Sequence, residues 1–66
     1  MHYILITNSY EEAQSVKDIL DDVFKDTVFS LRVDGNKTTL YAVSEVQNPD
    51  KMRGFADGIL YAVRNF

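Results

Sequence analysis

The chain has no cysteine and a single histidine, His2, so it can assemble neither a thiolate nucleophile, a histidine-based triad nor a histidine metal site. Carboxylates are more numerous, but the clustered ones (Asp18, Asp21, Asp22 and Asp26) fall on one helical stretch facing water. No burial there would separate their pKa values for acid–base work. A calcium site is not expected either, because no loop supplies alternating oxygen ligands. Asp34-Gly35-Asn36-Lys37 reads as a hairpin turn, not as a strand-to-helix loop that cradles phosphate. No enzyme, cofactor or metal is expected. The remaining chemistry is recognition, carried by tyrosine and aliphatic side chains in places where a strand should be polar.

Those places lie in the segment 27–46. Folding Thr27–Asp34 onto Lys37–Ser44 about Gly35-Asn36 sorts the side chains into two sets. Phe29, Leu31, Val33, Thr38, Leu40 and Ala42 form a core face. The opposite face holds Val28, Ser30, Arg32 and Asp34 with Val43, Tyr41, Thr39 and Lys37. An antiparallel sheet with one wet face alternates apolar with polar residues, so Val28, Tyr41 and Val43 need a cover.

The elements that position this face are legible from local signals. Tyr3–Thr7 is a short β run rich in isoleucine. Asn8 or Ser9 then caps a helix, with Glu11 or Glu12 as the third residue of a capping box. That helix runs to about Lys25 on an apolar stripe of Ala13, Val16, Ile19, Leu20, Val23 and Phe24. Gly35-Asn36 permits a type II′ or I′ turn. Asn48-Pro49 opens a second helix that extends to near Asn65 on Met52, Phe55, Ala56, Ile59, Val63 and Phe66.

A single α+β domain spanning residues 1–66 follows, in the order β-α-β-β-α. A right-handed crossover makes the first two strands parallel, and the third inserts between them. The result is a three-stranded sheet of order 1-3-2 with both helices on one face, a ferredoxin-like unit without its last strand. A second arrangement, one helix on each face, would cover Tyr41 internally. In the first, strict alternation along strand 1 turns Ile4 and Ile6 toward the helices and Tyr3, Leu5 and Thr7 away. The expected partner-binding face is then Tyr3, Leu5, Val28, Tyr41 and Val43, beside an unpaired strand 1 edge that invites another chain.

Two other features have a bland reading and a functional one. The acids Asp18, Asp21, Asp22 and Asp26 oppose the helix dipole near its C-terminal end, with Asp21–Lys25 as partial compensation. They are either a solvated face or a docking surface for a basic partner. Gly54, Gly58 and Ala62 form a small-residue stripe whose glycines each cost about 1 kcal/mol relative to alanine. Close approach to the first helix would account for them, and a partner helix is the alternative.

Composition narrows the classes further. A 66-residue chain buries only roughly 60% of its unfolded surface and is marginal alone, which favours a homodimer or another protein partner. The net charge of −3 argues against phosphate-backbone binding. Tyr3 and Tyr41 fall on the strands that carry stacking aromatics in RNA-recognition motifs, but strand 3 lacks that motif's glycines. The N-terminal apolar run is too short for a signal peptide or a membrane span, so a cytoplasmic protein is expected. The expectation is a small protein-binding module of inhibitor or adaptor type. Nucleic-acid or small-ligand binding on the tyrosine face, and a purely structural subunit, stand as alternatives.

Overall fold

The computed structural model describes residues 1–65, which form β1 (His2–Thr7), α1 (Tyr10–Val23), β2 (Phe29–Asp34), β3 (Lys37–Ala42) and α2 (Pro49–Arg64). The expected position of Phe66 on the α2 stripe lies outside the described residues. Both helix starts and the hairpin turn have a local cause, while α1 stops at Val23, short of the expected Lys25, where the Phe24 N–H closes the last turn on the Leu20 carbonyl. Ser9 is extended and its hydroxyl accepts the Glu12 N–H at 3.2 Å, which satisfies one donor of the first turn of α1. Asn48 does the same for α2, accepting the Lys51 N–H at 3.1 Å, with Pro49 at the first helical position. Gly35 has φ of +62° and Asn36 a negative φ, the type II′ pattern.

The sheet has the order β1-β3-β2 with both pairings antiparallel. The β2–β3 register matches the two-set reading of the hairpin, from Phe29 opposite Ala42 to Asp34 opposite Lys37. Strand β1 departs from simple alternation. Tyr3 pairs with Tyr41, but the next partner pair is Leu5 with Leu40, so Ile4 is an extra residue in a bulge. A bulge shifts every later side chain to the other face. Leu5 and Thr7 therefore point into the core and Ile6 points out, the reverse of the expected assignment. Leu5 is only 4% exposed, whereas Ile6 is 53% exposed.

Both helices lie on the same face of the sheet, packed against each other, and both also touch β1. The core joins Ile4, Leu5, Val16, Leu20, Phe29, Leu40, Ala42, Met52, Ala56 and Leu60. The one-helix-per-face alternative is excluded, because Tyr3, Ile6, Val28 and Val43 remain exposed on the far side. The helical stripes are narrower than their sequence periods suggest. Ile19 and Val23 of α1 and Phe55 of α2 are exposed, while Leu60, absent from the expected stripe, is buried. A three-stranded sheet is too narrow to cover the outer flanks of two helices.

One polar cluster ties three elements together at the end of β1. The buried Thr7 hydroxyl donates to Glu12 Oε1 at 3.1 Å and accepts the Ser9 N–H at 3.3 Å. Arg64, in the last turn of α2, donates through Nε and Nη2 to the two Glu12 oxygens at 2.9 and 3.2 Å. The expected capping box is thus half made. Ser9 caps α1, but the Glu12 carboxylate turns to Thr7 and Arg64 rather than back to Ser9.

Candidate interaction surface

The uncovered face of the sheet is built in rows across the strands. Val28 and Val43 form the first, joined by the Val43 N–H donating to the Val28 carbonyl at 2.7 Å. Tyr3, Tyr41 and Ser30 form the second, and Ile6, Thr39 and Arg32 the third. Asp34 and Lys37 close the face at the turn. Tyr3 is 50% exposed and Val28 60%, while Tyr41 in the central strand is half-buried. Four of the five residues expected on this face are there. Leu5 is not, and Ile6 takes its place through the bulge. Only a residue count across the β1–β3 pairing could have signalled the exchange, and that count is a tertiary property.

The edge of β1 is also less open than its sequence suggests. Arg53 of α2 reaches over the strand and its Nη1 donates to the Tyr3 carbonyl at 3.2 Å. The same guanidinium lies 4.8 Å from the centroid of the Tyr3 ring and is held by an ion pair with Asp50. A bulge and a positioned charge are two of the devices that blunt a sheet edge. Arg53 also fixes the ring of Tyr3, whose aromatic face attracts the cation.

The acids of α1 stay on the outer surface. Lys17 pairs with Asp21 at 2.7 Å, so the expected Asp21–Lys25 compensation is replaced by a pair one turn earlier. Asp18 accepts from Gln14 Nε2 at 2.9 Å and Asp22 is exposed, whereas Asp26, expected on the helix, lies exposed in the turn beyond its end at Val23. The Gly54/Gly58/Ala62 stripe is exposed as well. A Cβ built on either glycine meets nothing within 4 Å, so close approach to α1 does not account for these residues. At 3.6 residues per turn the stripe lies nearly opposite the buried Met52/Ala56/Leu60 seam, on the solvent side of α2.

A half-open concavity, separate from the sheet face, has no clear signature in the sequence. It lies where the C-terminal end of α1 meets the N-terminal end of α2 and encloses about 530 Å³. Phe24, Val46, Met52 and Phe55 supply its apolar lining, with Asp26 and Glu45 at its rim. Phe24 and Phe55 meet edge to face at 5.6 Å. The only available signal was Phe24 following the last turn of α1 and Phe55 at the outer margin of the α2 stripe.

Among the described residues no group of three histidine, aspartate or glutamate side chains is placed to hold a metal ion. No helix among them is long and apolar enough to cross a membrane. The fold defines a two-layer α+β domain, a three-stranded antiparallel sheet backed by two helices and bare on its other face. Comparisons with protein-family models, with curated proteins and with solved structures find no match to this chain.

Proposed function

We propose that this chain is a small, non-enzymatic protein-binding module of inhibitor or adaptor type that acts through its bare sheet face and self-associates there as a homodimer. The observation that carries the reading is the Tyr3–Tyr41 pair, set between Val28/Val43 and Ile6 with no helix over it. Tyrosine suits such a role because its ring buries well while its hydroxyl tolerates water. The bulge and Arg53 leave the face, rather than the β1 edge, as the surface to be covered. A cytoplasmic setting, with no need for disulfides, fits the lack of cysteine.

The test is Tyr41→Asp, followed by circular dichroism and by light scattering after size exclusion. The mutant is expected to keep the wild-type spectrum while losing self-association and partner capture. A wild-type chain that stays monomeric at high concentration and retains no partner from its native extract would overturn the proposal. The side-by-side tyrosines also favour a second reading, stacking of single-stranded nucleic acid bases on Tyr3 and Tyr41 beside Arg32. Salt-sensitive retention of oligonucleotides, lost in Tyr41→Ala, would select it.

A further inference from the structure

We infer that the groove between α1 and α2 is a second docking site, which takes a cationic amphipathic peptide segment of a partner protein. Its large apolar side chain would enter between Phe24 and Phe55, and its adjoining basic residues would face Asp26 and Glu45. The site shares no residue with the bare sheet face, so it stands or falls separately from the function proposed above.

Shape and lining specify the apolar part. Phe55 is 45% exposed although it belongs to an otherwise core-directed stripe, and its ring stands against Phe24 rather than in the main core. Met52 forms a buried floor and Val46 a half-buried side. A volume of about 530 Å³ lies in the range that holds a few side chains of a ligand. Methionine and aromatic linings adapt to incoming apolar groups, as in grooves that accept one face of a helix.

Charge specifies the rest. Asp26 and Glu45 stand at the rim against one lysine, Lys51, and neither acid makes an ion pair among the described residues. The last turn of α1 carries Asp21 and Asp22 and no basic residue, so the negative end of its dipole adds to the acidic character here, with Lys25 just past the Phe24 cap as the nearest cation in sequence. The positive end of α2 is already met. Asn48 accepts the Lys51 N–H, and Asp50 stands in the first turn. Two unpaired carboxylates against one unpaired lysine leave the rim net negative, which favours a cationic ligand over an anionic one.

The experiment titrates the full chain with a fluorescein-labelled peptide bearing Leu and Phe four residues apart, flanked by lysines, while amide shifts are followed by NMR. Saturable binding that weakens with added salt is expected, with shifts centred on Phe24, Val46, Met52 and Phe55. Glu45→Lys should weaken binding roughly tenfold, and Lys51→Glu should tighten it several-fold, because charge reversal at a rim acts through electrostatic complementarity. Phe55→Ser should abolish it, and the exposed Glu45 and Lys51 variants keep the test decisive if that variant unfolds. A peptide with serine in place of Leu and Phe should not bind. Equal binding of the serine peptide, shifts confined to the sheet face or the outer face of α1, or no response to Lys51→Glu would overturn the inference.

Discussion

The guanidinium of Arg53 caps Tyr3 twice, donating to its main-chain carbonyl at 3.2 Å while lying 4.8 Å from the centroid of its ring. One α2 side chain thereby seals part of the β1 edge and orients an aromatic residue of the bare face. The partners are 50 positions apart in sequence, so this contact exists only in the folded chain.

Removing that cap should expose the edge. Arg53→Ala is expected to lower stability by about 0.5–1 kcal/mol, the scale of a partly exposed cation–π contact. It should also raise the tendency to associate through β1, since an unprotected edge strand pairs readily. Urea denaturation and sedimentation velocity of the two proteins measure both effects.

The bulge makes opposite predictions for neighbouring residues. Leu5→Ala should cost about 2–5 kcal/mol, because it empties a packed core position. Ile6→Thr, on the bare face, should leave stability within about 0.5 kcal/mol of wild type and weaken association instead. If denaturation showed Ile6 to be the costly position, the register across β1 and β3 would be wrong.

Glu12 introduces a pH dependence. Its hydrogen bonds from Arg64 hold its carboxyl below the ordinary glutamate range, aided by Thr7 and opposed by partial burial. A carboxyl depressed in the folded state stabilises the fold at pH above the unfolded-state value, and that contribution is lost as pH falls through the folded-state value. Wild type should therefore lose more stability than Glu12→Gln on acidification through the carboxylate range. Arg64→Gln should flatten the difference, as measured by thermal unfolding at a series of pH values.

The exposed glycines offer a gain. Gly54→Ala and Gly58→Ala add a methyl group into open space within a helix, and each should stabilise the isolated chain by about 0.5–1 kcal/mol. Chemical denaturation measures this. A gain in stability accompanied by loss of partner capture would mark the stripe as a contact for a partner helix.

What could be read in advance was local. Ser9, Asn48-Pro49 and Gly35-Asn36 each set a boundary through bonds or dihedrals within a few residues, so both helix starts and the hairpin turn follow from composition at those points. The α1 and α2 stripes were readable as periods but not as widths. The burial of Leu60 and the exposure of Ile19, Val23 and Phe55 depend on how far a three-stranded sheet extends beneath the helices. The groove was illegible for the same reason, since Phe24 and Phe55 meet only when the two helix ends come together.

The chain's amino-acid order by itself determined the β-α-β-β-α succession, the hairpin register and the placement of Tyr41, Val28 and Val43 opposite the core, because each rests on short-range alternation and turn chemistry. Tertiary structure decided which residues of β1 join them. The bulge at Ile4 exchanges Leu5 for Ile6, and Arg53 arrives from α2 to cap Tyr3. Both depend on pairing and packing between segments far apart in sequence, where burial of Ile4 and Leu5 together outweighs regular alternation along a single strand.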